Sequence, residues 1–241
     1  MSDPSSPVLL AVAERLVAVA KPAGVPVVPA RGEDPAGCLR ARVAAALGAA
    51  VWVVHRLDRE TSGVVVFARD AEAHRALSLA FERRAVAKTN LAWVADRGLP
   101  PAGRVALALH PARRGKSRPA RPGEPGAREA ATAYRVDRRW RLADLAVARL
   151  ELDPETGRHH QIRVHLRALG APILFDRLYG GSAAPRLPAG SPCARLALHA
   201  LRLTVPDPGD GAGRTFAAPL PADLAAFEGW LDRAAAGAPL R

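Results

Sequence analysis

The chain has 241 residues, nearly half of them hydrophobic but only 5% aromatic, so a sizeable core must be built from Ala, Val and Leu. Lys and Arg outnumber Asp and Glu by 35 to 23, and the formal net charge of +12 points to a polyanionic partner. The longest apolar run, residues 43–54, is too short to span a bilayer; Glu14 and Arg15 interrupt the apolar N-terminal region, so no signal peptide is expected; and Cys38 and Cys193 form neither a CxxC pair nor a zinc set.

Residues 1–7 are a polar, Pro/Ser-rich tail expected to be disordered. Residues 8–13 and 16–20 read as strands around a polar Glu14-Arg15 turn. Lys21-Pro22-Ala23-Gly24-Val25-Pro26 follows as a loop, because two prolines and a glycine exclude regular structure. Residues 36–47 have helical composition and end at Gly48, a plausible C-cap. The β-branched runs 51–54 and 64–68 read as short buried strands. Asp70 suits the N-cap of a helix reaching about Arg84, with Ala73, Leu77, Ala80 and Phe81 on its core face. Residues 89–94 read as a strand.

Residues 98–126 are rich in Pro, Gly and Arg. Within 110–128, Arg113, Arg114, Lys116, Arg118, Arg121 and Arg128 face a single acid, Glu124, and no hydrophobic period is visible. The segment reads as a basic loop insertion. It is either a solvated loop or a mobile arm that orders on phosphates. Regular structure returns with a strand at 132–136. Residues 145–152 alternate, with Ala146, Ala148, Leu150 and Leu152 on one face and Arg149 and Glu151 on the other, as in a half-buried strand. After a turn at 153–157, Ile162, Leu166 and Leu169 follow helical steps in a short amphipathic helix closed by Gly170. Residues 196–203 read as a further strand.

The chain is organised around His55-Arg56-Leu57-Asp58-Arg59-Glu60-Thr61-Ser62-Gly63, a dense polar segment between two apolar runs. Asp58 could be a turn residue paired to Arg56 or Arg59. The crowding of polar side chains between two buried strands favours instead an active carboxylate on a loop that a rigid scaffold holds. Gly63 tolerates positive φ and permits close approach of another backbone.

This stretch resembles the HRLDxxTSG motif of the RluA-type RNA pseudouridine synthases. Lys21-Pro22-Ala23-Gly24 resembles the family's KPxG segment. Residues 158–166, Arg-His-His-Gln-Ile-Arg-Val-His-Leu, resemble GRxHQIRxHL, and residues 171–180 resemble G-x-PI-x-GD-x-x-YG, with Phe175 in place of the Gly before the Asp. Ala130, Thr132 and Tyr134 resemble A-x-T-x-Y, Leu198-His199-Ala200 a family strand, and residues 216–224 an APLP tail. The likeness runs from about Val8 to Phe227, so no preceding S4-type RNA-binding domain is expected.

The resemblance implies an α+β pseudouridine synthase fold: one catalytic domain over 8–241, with a largely antiparallel mixed sheet, flanking helices and a central cleft. It implies an isomerase that converts uridine to pseudouridine in ribosomal or transfer RNA. Asp58 would be the catalytic carboxylate and Arg163 its ionic partner, since a nearby guanidinium favours the charged carboxylate and orients it. His55, Arg56, Arg59 and Asn90 are candidates for holding the flipped nucleotide. Lys88, Arg113, Arg114, Lys116 and Arg118 are candidates for RNA backbone contacts. His160 and His165 read as structural or phosphate-facing.

The reaction needs no redox step or phosphate activation, and neither a metal set nor a dinucleotide or Walker A fingerprint is present, so no cofactor or metal is expected. RNA is the expected partner, and the protein is expected to be a cytoplasmic monomer. Asn90 stands where the family has a Tyr thought to stack on the base. Either another group does that work, or the enzyme is slow, or the chain is a lapsed paralogue that only binds RNA. A third reading, hydrolysis of a small nucleoside by Asp58, fits the +12 charge less well.

Overall fold

The computed structural model describes residues 7–29, 32–143, 145–180, 187 and 190–237; the expected disordered tail lies, but for Pro7, outside them. In chain order the elements are β1 (Val8–Val12), β2 (Leu16–Lys21), α1 (Leu39–Leu47), β3 (Trp52–Val53), β4 (Ser62–Ala68), α2 (Ala71–Glu82), β5 (Ala87–Ala95), β6 (Ala102–Ala106), β7 (Leu109–Ala112), β8 (Lys116–Pro119), β9 (Ala131–Arg141), β10 (Ala146–Pro154), α3 (Gln161–Ala168), β11 (Leu198–Pro206), β12 (Gly213–Ala217) and α4 (Ala222–Ala235). Strands and helices mix as expected for α+β; β1–β2, β2–β4, β3–β4, β5–β10, β9–β10, β6–β9, β7–β8 and β11–β12 pair antiparallel, and β4–β11 pairs parallel. The chain forms two compact units. One comprises residues 1–88 and 199–220, the other 89–198 and 221–241.

In the first unit β2 and β4 run antiparallel and carry apolar residues on both faces. Leu16, Ala18, Val64, Val66 and Ala68 pack with Ala73 and Leu77 of α2, while Val17, Val19, Val65 and Phe67 pack with Leu39 and Val43 of α1. Helices on both faces explain why β4 is buried at every residue and reads as an unbroken apolar run. Each helix has the one cap the sequence predicts, although α1 begins at Leu39 and α2 ends at Glu82. Asp70 caps α2 by accepting from the Ala73 N–H at 2.8 Å. Gly48, at φ 61°, closes α1 with its N–H on the carbonyls of Ala44 and Ala45.

In the second unit β5, β10, β9 and β6 pair in that order. α4 lies against β9, where the Trp140 indole donates to Asp232 at 2.7 Å. Leu224, Phe227, Trp230 and Leu231 are its buried face.

The stretch 98–126 is not the irregular insertion its composition suggests. It contains β6, paired to β9, and a β7–β8 hairpin turning through Arg113–Gly115. The strands are four or five residues long and each has exposed or half-buried positions, so no apolar alternation marks them. The hairpin is anchored rather than free: the Ser117 N–H donates to the Tyr179 hydroxyl at 2.8 Å, and Ser117 Oγ is 3.1 Å from His159 Nδ1.

Candidate active site

β3 and β4 form a hairpin, with Trp52 opposite Ala68 and Val53 opposite Phe67, and Asp58 sits on the loop that joins them. The loop is tied at several points. The Thr61 N–H returns to the Asp58 carbonyl at 3.1 Å and closes a turn. The Arg59 carbonyl accepts from Gly24 N–H at 2.8 Å and from the Lys21 ammonium at 2.9 Å. At the exit, Gly63 has φ 131°, and a Cβ there would lie 2.2 Å from the Ala200 carbonyl oxygen. Only glycine allows the parallel approach of β11, whose His199 and Ala200 register with Ser62 and Gly63. Beside it Ser62 Oγ is 2.9 Å from His199 Nδ1, and His199 Nε2 is 3.2 Å from the Ala218 carbonyl. The carbonyl fixes the tautomer: Nε2–H donates to Ala218, and Nδ1 accepts from the Ser62 hydroxyl.

His55, a candidate for gripping the nucleotide, is half-buried and engaged by its own unit. Its Nε2 accepts the Val66 N–H at 3.0 Å, and its ring stacks on Phe81 at 4.6 Å. Burial, helped by the Lys88 charge, pushes its pKa down to about 3, so the imidazole is neutral. The stack explains why His opens the motif: it joins the loop to the middle of β4 and to α2.

Lys88 is likewise less available to RNA than its place in a basic run suggests. Its ammonium sits 5.3 Å over the Phe81 ring, and burial lowers its pKa. Arg59 is half engaged, its guanidinium forked on Glu33. Arg56 is exposed.

In the second unit Arg163 lies on α3 and is 4% exposed. Its Nε and Nη2 fork onto Asp176 Oδ2 and Oδ1 at 2.8 and 2.7 Å. Asp176 Oδ1 also accepts the N–H groups of Leu178 and Tyr179 at 2.9 and 3.0 Å. Burial alone would raise the Asp176 pKa; the Arg163 guanidinium and these N–H groups outweigh it and hold the carboxyl below its ordinary value. The guanidinium has five donors, and the fork uses two of them. It also lies 5.1 Å over the Tyr179 ring. Arg163 is therefore an oriented, buried cation and not a surface arginine.

Its neighbours on α3 depart from simple amphipathy. The buried residues are Gln161, Arg163, Val164, His165 and Leu166, while Ile162 is only half-buried. Three polar side chains face inward because each has partners. Gln161 accepts from Thr156 Oγ1 at 2.5 Å and from Arg158 N–H at 3.0 Å, and donates to the Ala131 carbonyl and Thr132 Oγ1. His165 bridges Thr132 Oγ1 and the Leu107 carbonyl, a structural role as expected. His160 begins the helix at φ 55°, with Nδ1 2.8 Å from the Tyr179 hydroxyl.

Asn90 lies on β5 opposite Leu152 and is 6% exposed. Phe175 occupies φ 60°, a left-handed conformation costly for a bulky residue. That conformation explains the Gly expected there, and the edge contact of Phe175 with Phe227 at 5.5 Å offsets the strain.

On the β7–β8 hairpin Arg113 is exposed at the turn, Lys116 is half-buried with Nζ 3.4 Å from the Leu178 carbonyl, and Arg118 pairs with Glu124. The Arg114 side chain lies outside the described residues.

Sequence reading passed over Lys21 and Asp176. Both stand in quoted motifs, and the available signal was an ionisable residue that directly follows an apolar one, Ala20 before Lys21 and Phe175 before Asp176.

The arrangement supplies a carboxylate on a braced loop in one unit and a buried, oriented guanidinium in the other. Residues 15–168 match the family described as RNA pseudouridylate synthase. The chain is 39% identical over 209 residues to the dual-specificity RNA pseudouridine synthase RluA of Escherichia coli, covering 86% of this chain and 90% of that one. It is 37% identical over 183 residues to the ribosomal large subunit pseudouridine synthase D of Haemophilus ducreyi, covering 71% of this chain and spanning about half (53%) of that relative's length. Among solved structures, human RNA pseudouridylate synthase domain containing 4 superposes with a TM-score of 0.74 at 27% identity, covering 93% of each chain. The chain belongs to the RNA pseudouridine synthase family, and its relatives are of the RluA type.

Proposed function

We propose that this chain isomerises uridine to pseudouridine in ribosomal or transfer RNA, with Asp58 as the catalytic carboxylate. The observation that carries the proposal is the bracing of the Asp58 loop in a chain of this family. The Asp58 and Arg59 carbonyls are both engaged, and Gly63 seats the loop exit against Ala200.

The reaction breaks the bond from sugar C1′ to base N1, turns the base, and joins C1′ to C5. C5 loses a proton and N1 gains one, so atoms and electrons balance without an external reagent. The Asp58 carboxylate acts beside the sugar, adding to it or removing a proton from it; both routes need the ionised form. Arg163, held by Asp176, is the positive group that the family resemblance assigns to the reaction. Arg56 and Arg59 hold the flipped nucleotide. Flipping costs a few kcal/mol, least in loops and single strands, so the target lies there. Arg113, Lys116 and Arg118 meet the RNA backbone from a docked hairpin.

The H. ducreyi relative acts on ribosomal RNA by its name, and the E. coli relative is named for dual specificity. Ribosomal and transfer RNA, the two classes proposed above, both belong in the test. Pseudouridine is mapped across ribosomal and transfer RNA from a strain with and without the gene. Loss of at least one site, restored by the wild-type gene, is expected. An unchanged map would favour a protein that binds RNA without modifying it, the alternative that Asn90 raises.

A further inference from the structure

A uracil turned out of its RNA loses the stack on its neighbours, and a flipped base is held again by flat side chains packed against it. The chain has few rings to offer. Of its Phe, Trp, Tyr and His side chains, all of which lie within the described residues, Trp52 and His159 alone are exposed. Trp52 registers with Ala68, at the far end of β4 from the Gly63 exit of the Asp58 loop, about 17 Å along the strand. His159 directly precedes His160, which begins α3, the helix that carries Arg163. Asn90 is buried on β5 and has no ring.

The His159 imidazole is also held still. Its ring stacks on that of His160, with centroids 3.6 Å apart and planes inclined by 27°. Its Nδ1 is 3.1 Å from Ser117 Oγ. His160 in turn meets the Tyr179 ring edge-on at 5.5 Å and sets its Nδ1 2.8 Å from the Tyr179 hydroxyl. A ring ordered in advance loses little side-chain freedom when a base settles on it. Tethering the hairpin is a poor account of the whole arrangement, because the Ser117 N–H already donates to the Tyr179 hydroxyl without His159. The backbone points the same way. His160 keeps φ 55°, a left-handed conformation that is costly outside glycine, and such strain gathers at functional sites.

We propose that His159 contacts the target base, its imidazole being the flat partner on which the flipped uracil stacks, opposite His160. The proposal rests on the reading above that the chain is a pseudouridine synthase. Affinity for RNA comes mostly from phosphates along the backbone, and flipping follows binding. Loss of the ring therefore lowers the share of bound RNA whose uridine is flipped, and with it kcat, more than it weakens binding.

The test measures kcat, RNA Kd and Tm for wild type, His159→Ala and His159→Phe on total RNA from a strain lacking the gene. Turnover is read as pseudouridine formed per enzyme at saturating RNA, well below each Tm. His159 is exposed, so both variants should fold. His159→Ala should lower kcat roughly tenfold or more, with Kd within about threefold of wild type. His159→Phe also lacks the nitrogen beside Ser117 but keeps a ring, and should recover turnover several-fold over His159→Ala. The difference between the two variants thus reports the ring alone. Equal losses in both would overturn the proposal and leave His159 a tether for Ser117. Wild-type kcat in His159→Ala would overturn it outright, and a loss confined to Kd would overturn it in favour of a backbone contact. If wild type itself forms no pseudouridine on this RNA, the reading of function fails, and this proposal with it.

Discussion

The half-buried imidazole of His55, bonded to Val66 N–H and stacked on Phe81, makes the base of the Asp58 loop sensitive to acid. In the folded chain its pKa is about 3, against 6.5 for a free histidine. The unfolded chain therefore takes up a proton below pH 6.5, while the folded chain resists protonation until about pH 3. Stability contributed by the neutral ring is complete above pH 6.5 and is lost as the pH falls through that window. The whole gap corresponds to a ceiling of roughly 5 kcal/mol. Between pH 7 and pH 5 the loss is about 2 kcal/mol, a sizeable part of the 5–15 kcal/mol that separates folded from unfolded domains. His55→Gln isolates this effect. Its amide oxygen can accept the Val66 N–H as Nε2 does, but it does not titrate. The variant should be less stable than wild type at pH 7, having lost the stack on Phe81. On acidification to pH 5 it should lose about 2 kcal/mol less than wild type. Urea unfolding at pH 7, 6 and 5 measures both. Parallel pH curves for the two proteins would show that His55 titrates freely and that its contacts do not hold it neutral.

Asp176→Asn should destabilise the protein by about 3–5 kcal/mol, because it removes the buried carboxylate on which the Arg163 guanidinium is forked; a change within 1 kcal/mol in urea unfolding would mean that water reaches the guanidinium. Neutralising Arg113, Lys116 and Arg118 together should weaken RNA binding and flatten its dependence on salt, and an unchanged slope would remove the hairpin from the interface. Asn90→Tyr should raise turnover by restoring an aromatic face worth roughly 1–3 kcal/mol of base stacking; lower pseudouridine yield per enzyme would mean that the pocket has been rebuilt around the amide.

Much of the first unit was legible in the sequence because local rules and tertiary packing agree there. The caps at Asp70 and Gly48, the apolar strands β2 and β4, and the close approach at Gly63 each follow from one or two residue types. The second unit was harder to read. Strands β6, β7 and β8 are too short and too exposed to show alternation, and their anchor, Ser117 on Tyr179, joins residues 62 positions apart. α3 hides its logic because its inward face is polar. Gln161, Arg163 and His165 are buried by virtue of long-range partners that helical periodicity does not reveal. The motif resemblance located Asp58 and Arg163 but not what holds them. Lys21 and Asp176 act through geometry, on carbonyls and on a guanidinium, and only coordinates display that.

The central claim is that Asp58 performs the chemistry. Its most direct test compares purified wild type and Asp58→Asn on total RNA from a strain lacking the gene, scoring pseudouridine formed per enzyme alongside RNA affinity. Asp58 is replaced by a side chain of the same shape without the charge, so RNA affinity should stay within a few-fold while pseudouridine formation disappears. Pseudouridine formed by Asp58→Asn at the wild-type rate would contradict the account.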